Sequence, residues 1–326
     1  MRIKSLGYLG LGVVDPRQWL DFATQVVGAM PARAVPGEAW SLAGQDAPQV
    51  RQSGGTGVAP DGSVYIKIDE WQWRVAAHPV TGRPGVQYLG LEVHDQQQLE
   101  IVAAELEAAG FPARMGTPGE ARARSVTALL HSCDPAGNPL EFFYGPTMDF
   151  NFTSPQAGTR FVAGKYGLGH LNLFVKDLPA CFDFYTRLLG FQLSDYIRFG
   201  EGASVQFLRC NARHHSIALV EGAGVNGPHH LLFEVPDIDS VGRALDRAMK
   251  RNIPVSSTLG RHINDNMLSF YMQSPLGFDV EIGCEGAMLD DDWTAREFCE
   301  GDVWGHHGLT AEAIKQAAES MAGDES

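Results

Sequence analysis

The sequence predicts an α+β fold of four βαβββ modules, paired into two tandem domains. An internal duplication indicates this fold, because three segments of the first half recur in the second half in the same order. The paired segments are LGYLGLGVVD (6–15) with LGHLNLFVKD (168–177), QYLGLEVHD (87–95) with HHLLFEVPD (229–237), and DPAGNPLEFFYG (134–145) with SPLGFDVEIG (274–283). Three ordered matches make chance a poor explanation, so we expect both halves to share one architecture.

One amphipathic helix is predicted in each module, between short alternating runs that predict strands. Each helix shows an apolar stripe at three- to four-residue spacing, and three of the stripes precede a glycine that suits a helix end. The stripes are Trp19, Phe22, Ala23 and Val26 before Gly28; Leu99, Val102, Ala103 and Leu106 before Gly110; Cys181, Phe184, Tyr185 and Leu188 before Gly190; and Val241, Ala244, Leu245 and Ala248. Core packing explains all four stripes better than cofactor binding does.

The junction between the two halves is predicted near residues 148–164. This stretch is polar and aperiodic, and it contains proline and glycine, as linkers commonly do. We therefore expect a first, non-catalytic domain over 1–150, a second, catalytic domain over 151–290 and a C-terminal tail over 291–326.

The tail is interpreted as a lid or packing segment. It contains His306, His307 and two tryptophans, and packing explains these residues better than a metal site does. The acidic run at 290–292 is interpreted as a solvated loop. Residues 309–320 are predicted to form a short polar helix.

Composition excludes several broad classes of protein. Hydrophobic residues make up 44% of the 326-residue chain, which excludes wholesale disorder. The formal net charge of −14 disfavours binding to nucleic-acid phosphates and to anionic membranes, so neither is expected as a partner. No stretch approaches the roughly 18 apolar residues of a membrane span. The five cysteines are scattered and lack a C-x-x-C pair, so a structural zinc site is not indicated and a cytoplasmic location is expected.

Histidines concentrate in the second half, where eight of the eleven follow residue 150. The duplication shows which of them replace other residues on a shared scaffold. His170 corresponds to Tyr8, His230 corresponds to Tyr88, and Glu281 corresponds to Glu141. The three equivalent positions therefore read Tyr, Tyr, Glu in the first half and His, His, Glu in the second.

Two imidazoles and one carboxylate suit a divalent metal such as Fe(II), and they leave coordination positions open for other molecules. Any one of these histidines alone would be interpreted as a hydrogen-bonded core residue. The repeat alignment selects His230 over His229, and strand alternation places His229 on the opposite face. The same alternation puts Asn172, two residues after His170, beside the predicted metal.

These motifs resemble the two-domain type I extradiol ring-cleavage dioxygenases of the vicinal oxygen chelate superfamily. The resemblance covers essentially the whole chain, and GRHINDNMLSFYMQSPLGFDVEIG (260–283) carries it most strongly: a His, then Phe-Tyr, then Pro-x-Gly and Glu. GLGHLNLFV, FYTRLLGFQLSD and CNARHHSIAL are similar to the biphenyl-diol branch, the 2,3-dihydroxybiphenyl 1,2-dioxygenases. Ser274 departs from the family pattern before the proline, and we expect no effect from it.

The resemblance implies tandem vicinal-oxygen-chelate domains and Fe(II) as the cofactor, with Mn(II) as an alternative and O2 as co-substrate. It implies that the protein forms a homo-oligomer. It also implies that the substrate is a small aromatic diol, a 3-substituted catechol of biaryl, polycyclic or steroid-derived type. Ring opening would give a hydroxy-oxo-dienoate. The metal ligands implied are His170, His230 and Glu281; the catalytic residues are His215, Tyr271, His262 and Asp265; and the substrate-binding residues are Asn172, Asn264, His215 and Tyr271.

In the family, the residue matching His215 acts as base and then as acid. Tyr271 would bond a catecholate oxygen and His262 would support the dioxygen side, whereas His214 and His229 are assigned no catalytic part. Asn172 has two interpretations, a contact to a polar ring substituent or an amide bonded to backbone or water. Two other functions stay open: another metalloenzyme on this scaffold (an isomerase or a keto-acid dioxygenase) and a non-enzymatic aromatic-binding protein.

Overall fold

The computed structural model describes residues 2–36, 55–82, 84–199, 204–221, 224–310 and 312–316. Two large mixed sheets with few helices form the molecule, which confirms the predicted α+β class and its four βαβββ modules. The first half contains β1 (Ile3–Val13), α1 (Pro16–Phe22), β2 (Met30–Pro31), β3 (Val64–Lys67), β4 (Val75–Pro79), β5 (Gly85–Val93), α2 (Gln96–Ala108), β6 (Arg114–Met115), α3 (Pro118–Arg124), β7 (Ala128–Cys133) and β8 (Pro139–Tyr144). These strands form one sheet in the order β2-β3-β4-β1-β5-β8-β7-β6.

The second half repeats this plan and adds two strands from the tail. It contains β9 (His170–Phe174), α4 (Leu178–Asp183), β10 (Gln192–Arg198), β11 (Ser204–Arg209), β12 (Ile217–Val220), β13 (Gly227–Glu234), α5 (Ile238–Lys250), β14 (Val255–His262), β15 (Leu268–Met272), β16 (Asp279–Cys284), β17 (Arg296–Phe298) and β18 (Asp302–Trp304). The sheet order is β17-β10-β11-β12-β9-β13-β16-β15-β14-β18. The tail strands are therefore the two edges of the second sheet.

The four predicted helices are present, and their apolar stripes pack against the sheets. Trp19, Leu99, Cys181 and Val241, one from each stripe, are completely buried. In the first and third modules the helix widens into a π-helical turn, at Ala23–Val27 and Phe184–Leu188. Helix α3 was not predicted; it begins with a capping box in which Thr117 and Glu120 satisfy each other's backbone N–H groups.

The C-terminal helix predicted over 309–320 is seen at 312–316; residue 311 and residues 317–320 lie outside the described residues. The preceding tail segment packs directly on β14. A Cβ atom on Gly260 would lie 2.4 Å from the backbone nitrogen of His306, so a side chain at this position would displace the tail. Among the described residues, no helix has the length and apolar character needed to cross a bilayer.

Strand register brings the three duplicated positions together in each half. In the second sheet β13 lies between β9 and β16: Leu232 pairs with His170 on one side and with Glu281 on the other. His230 lies two residues before Leu232 on β13, so its side chain is on the same face of the sheet as those of His170 and Glu281. In the first sheet β5 lies between β1 and β8 in the same way, which brings Tyr8 and Glu141 to the equivalent place.

In the first half, aromatic rings fill the space around the three duplicated positions. Tyr8 and Tyr88 pack with Trp73 and Phe143 in one buried cluster. Glycines make room for the two tyrosine rings, because a Cβ on Gly10 would lie 2.1 Å from the Tyr88 ring, and one on Gly90 would lie 2.4 Å from the Tyr8 ring. The duplicated positions in the second half are Asn172 and Leu232.

An arginine balances the charge of the buried carboxylate in the first half. The Tyr8 hydroxyl donates to Glu141 at 2.6 Å, and the Arg124 guanidinium forms a two-pronged ion pair with Glu141 at 2.8 and 2.9 Å. The same guanidinium lies 3.8 Å above the Tyr88 ring. Arg124 is the last residue of the unpredicted helix α3. This helix therefore places a cation beside the buried carboxylate of Glu141.

We expect Arg124→Ala to lower the free energy of unfolding by about 3 kcal/mol, because it leaves a buried carboxylate without its cation. Adding Glu141→Gln should recover part of that loss, since the remaining buried group is then neutral. Denaturant titration of the four proteins in this double-mutant cycle measures both effects. Arg114→Ala, which removes an exposed ion pair to Glu120 in the same region, is the control and should change stability little. Additive effects of the Arg124 and Glu141 substitutions would contradict this account.

Candidate active site

Three buried side chains converge in the second half on a single point. Nε2 of His170 lies 3.1 Å from Nε2 of His230, and each nitrogen lies 3.2 Å from Oε2 of Glu281. The exposed fraction is 3% or less for all three residues. The predicted 2-His-1-carboxylate set is therefore assembled as one nearly equilateral triangle of donor atoms.

The chemistry of this triangle fits a metal ion better than internal hydrogen bonds. If both imidazole nitrogens carried protons, the two N–H groups would have to face one acceptor oxygen while lying 3.1 Å apart. Ligands about 2.1 Å from one ion at right angles lie about 3 Å apart, close to the spacing observed. The second oxygen of Glu281, Oε1, is buried and has no hydrogen-bond partner among the described residues. A divalent cation would satisfy all three donors.

The protonation states favour a cation as well. Burial lowers the pKa of His170 to about 4, although the nearby Glu281 carboxylate acts in the opposite direction. Burial alone would raise the pKa of Glu281, but the adjacent imidazoles of His170, His230 and His262 outweigh it and hold that pKa well below its ordinary value. At neutral pH a neutral imidazole and a carboxylate are therefore available as ligands.

His215 lies against the triangle. Its ring stacks on His170 with the centroids 3.9 Å apart and the planes 25° apart. Its Nε2 atom is buried and has no hydrogen-bond partner among the described residues. His215 lines the same cavity as the triangle. Burial is the main cause of a His215 pKa well below 6.5, so the ring is neutral and able to accept a proton.

On the other side of the triangle, Tyr271 is held by a chain of polar groups that ends in the tail. Nε2 of His262 lies 2.8 Å from the Tyr271 hydroxyl and 3.7 Å from Oε1 of Glu281. Nδ1 of His262 contacts Oδ1 of Asp302 at 2.7 Å, and His306 bonds the same oxygen at 2.5 Å. Burial would lower the pKa of His262, but Asp302 and Glu281 outweigh it and raise the pKa well above 6.5.

The chain is similar over nearly its whole length to proteins of known activity. A model of the glyoxalase/bleomycin resistance protein/dioxygenase superfamily matches residues 167–282. The iron-dependent extradiol dioxygenase of Rhodococcus jostii (strain RHA1) is 35% identical over 94% of this chain and 97% of its own length. The biphenyl-2,3-diol 1,2-dioxygenase of Paraburkholderia xenovorans (strain LB400) is 35% identical over 96% of this chain and 98% of its own length. The chain belongs to the extradiol dioxygenases.

A solved structure agrees with this assignment. The crystal structure of a halotolerant catechol dioxygenase superposes with a TM-score of 0.84 at 32% identity, over 96% of this chain and 97% of its own. The predicted resemblance and the predicted oxidoreductase class are thereby confirmed. The non-enzymatic interpretation is excluded.

The cavity of this extradiol dioxygenase has an apolar wall and a small set of polar groups. It contains about 700 Å³ of empty space, which includes the open solvent at its mouth. The predicted residues His170, Asn172, His215, His230, His262, Asn264, Asp265, Tyr271 and Glu281 all line it. The apolar wall is made of Ile197, Phe199, Val205, Phe207, Val220, Leu309 and Ile314, the last two from the tail.

Two amides in the cavity have unpaired atoms. Oδ1 of Asn172 and Nδ2 of Asn264 are buried and have no partner among the described residues, so the site presents one unused acceptor and one unused donor. Asp265 is positioned by a hydrogen bond from the backbone N–H of Met267 at 2.9 Å. Its Oδ2 lies 3.9 Å from Nδ1 of His215, which is longer than a hydrogen bond.

The structure corrects the orientation predicted for His229. A β-bulge between Pro228 and His230 breaks the strand alternation. His229 consequently lines the same cavity as His230, and the two Nδ1 atoms lie 2.6 Å apart. Asp302 was also missed as a cavity residue, because nothing in the tail sequence indicates that it returns to β14.

Proposed function

We propose that this extradiol dioxygenase binds Fe(II) through His170, His230 and Glu281 and opens a 3-substituted catechol beside its diol. Both atoms of O2 enter the product, a hydroxy-oxo-dienoate formed during the degradation of aromatic compounds. The observation that carries this proposal is the triangle of ligand atoms at the base of an apolar cavity, with a neutral His215 on one side and Tyr271 on the other. Mn(II) fits the same nitrogen and oxygen ligands, so the metal must be measured.

The side chains around the triangle would hold the diol and move its proton. When bound, a ferrous ion supplies Lewis acidity and redox capacity. Nε2 of His215 would accept a proton from a catechol hydroxyl and later return it. The Tyr271 hydroxyl, held by His262, would donate a hydrogen bond to a catecholate oxygen, and Asn264 and Asp265 would complete the polar side of the cavity.

The apolar wall supports a substrate with a bulky apolar group next to the diol. Phe199, Val205 and Phe207 lie along this wall, and burying an aromatic substituent against them excludes water from the reacting centre. The name of the Paraburkholderia relative indicates a biphenyl diol as its substrate. We therefore favour biaryl, polycyclic or steroid-derived catechols. The cytoplasmic location and the homo-oligomeric state remain predictions from the sequence.

The function is tested by oxygen uptake. We expect protein loaded anaerobically with Fe(II) to consume one O2 per catechol and to form a yellow ring-opened product. The panel is catechol, 3-methylcatechol, 2,3-dihydroxybiphenyl and 1,2-dihydroxynaphthalene, with kcat/KM highest for the bulky 3-substituted compounds. A colourless muconate would mean cleavage between the two hydroxyls, and a metal-loaded protein inert to the whole panel would favour an isomerase or keto-acid dioxygenase. Either result contradicts the proposal.

The ligand and base assignments make separate predictions. His170→Ala or His230→Ala should lose bound metal and activity together, because each removes one of three ligands. His215→Ala should keep the metal while kcat falls by roughly 10²–10⁴, the usual contribution of a general base. Metal analysis and oxygen uptake on the same samples separate these effects, with the exposed tail residue His307→Ala as the control. Equal metal loss in the His215 variant would show that it serves as a ligand.

Asn172 is proposed to select the ring substituent. Its Oδ1 is buried and has no hydrogen-bond partner among the described residues, so it suits a substituent that donates a hydrogen bond. Asn172→Val should lower kcat/KM about tenfold for 2,2′,3-trihydroxybiphenyl, the value of one neutral hydrogen bond. For 2,3-dihydroxybiphenyl, which has no such donor, kcat/KM should be unchanged or higher. Equal losses on both substrates would instead indicate that Asn172 supports the scaffold.

A further inference from the structure

His214, the histidine next to the proposed base, connects that base to a buried carboxylate. Nε2 of His214 lies 2.9 Å from Oδ2 of Asp195, and Nδ1 of His214 lies 3.1 Å from Nδ1 of His215. His214 and His215 are 2% exposed and Asp195 is fully buried. These contacts form one continuous line from Asp195 through two imidazole rings to the cavity.

The donors and acceptors along this chain of contacts determine which nitrogen of each histidine carries the proton. A carboxylate can only accept, so the Asp195 contact requires a proton on Nε2 of His214. When His214 carries this one proton, its Nδ1 is an acceptor, and the 3.1 Å contact requires His215 to donate from its own Nδ1. The remaining nitrogen of His215, Nε2, must therefore carry a lone pair. This is the buried atom that has no partner among the described residues.

We propose that Asp195 and His214 are positioning residues that set the tautomer of His215, so that its basic nitrogen faces the diol. The proposal rests on the proposed function, in which His215 is the base. Neither positioning residue would touch the substrate. The opposite tautomer would present an N–H group to the catechol hydroxyl and could not accept its proton.

The surroundings keep Asp195 in place. Its other oxygen, Oδ1, accepts a hydrogen bond from the backbone N–H of Arg296 in tail strand β17 at 2.7 Å. The neighbouring Ser194 hydroxyl donates to the backbone carbonyl of His214 at 2.5 Å. Asp265, the other carboxylate near His215, is too distant at 3.9 Å to determine where the Nδ1 proton sits. The tail therefore helps to hold the end of this chain of groups.

The tautomer can be measured directly, without activity. In the Zn(II)-loaded full-length protein, which is diamagnetic, long-range ¹H–¹⁵N NMR distinguishes protonated from unprotonated imidazole nitrogens. We expect His215 to be protonated at Nδ1 and unprotonated at Nε2, with His214 showing the reverse. Protonation of His215 at Nε2 would overturn the proposal. This readout stands even if the protein proves inert toward catechols, which would instead contradict the proposed function.

Asp195→Asn tests the cause. The asparagine carbonyl can still accept from Arg296, whereas its NH2 group now donates to Nε2 of His214 and reverses both tautomers. We expect kcat to fall ten- to a hundredfold, with the metal content retained, KM changed less than threefold and the reversed NMR pattern for His215. The analogous His214→Phe keeps a ring but removes the acceptor, and it should also lower kcat more than it raises KM.

Ser194→Ala is the matched control, because it removes a hydrogen bond to the His214 backbone without touching either ring. It should leave kcat within twofold of the unmodified protein. If Ser194→Ala lowered kcat as much as Asp195→Asn does, the effect would be one of backbone placement and the proposal would be wrong. An Asp195→Asn protein with an unchanged His215 tautomer and unchanged kcat would also overturn it.

Discussion

The site depends on one constraint: three strands must keep a register that brings two imidazole nitrogens and one carboxylate oxygen within about 3 Å of each other. The middle strand β13 hydrogen-bonds to β9 on one side and to β16 on the other. Strand spacing of about 4.8 Å leaves three side chains on one face able to meet at a point. Slipping one strand by a single residue would turn its ligand to the opposite face, so the pairing of the sheet and the assembly of the site are the same requirement.

The two halves show two ways to satisfy one buried carboxylate on the same scaffold. In the first half, Glu141 is neutralised by Arg124 and accepts a hydrogen bond from Tyr8. In the second half, Glu281 faces the imidazoles of His170 and His230, and its Oε1 has no hydrogen-bond partner among the described residues. Burying a carboxylate is costly, and a divalent cation held by the three donor atoms would offset that cost. In the first half, aromatic rings fill the space beside this carboxylate. In the second half, the equivalent space is a cavity.

The repeat made the triangle of donor atoms predictable, because a duplicated scaffold turns three isolated residues into three equivalent positions. The resemblance to a family added His215, His262 and Tyr271. The features that could not be predicted arise from local departures from regular strand geometry and from tertiary contacts between residues far apart in the sequence. The bulge before His230 reversed the expected direction of His229. The tail places Asp302 against His262, a contact that follows from tertiary packing and has no local signature. Helix α3, with Arg124 at its end, was missed because its seven residues carry too short a stripe.

The polar groups around the triangle are ordered from outside inward. On one side, Asp302 in the tail contacts both His306 and His262, and His262 contacts Tyr271. On the other side, the backbone N–H of Arg296 in the tail donates to Asp195. Asp195 in turn contacts His214, which lies beside His215. Tyr271 and His215 are thus each contacted by polar groups that are themselves held by the tail. A buried polar group is rigid only when its partners are themselves satisfied, so orientation must be passed inward from residues with fixed partners. The tail supplies the outer end of both chains of groups, so it supports the proposed site as well as the fold.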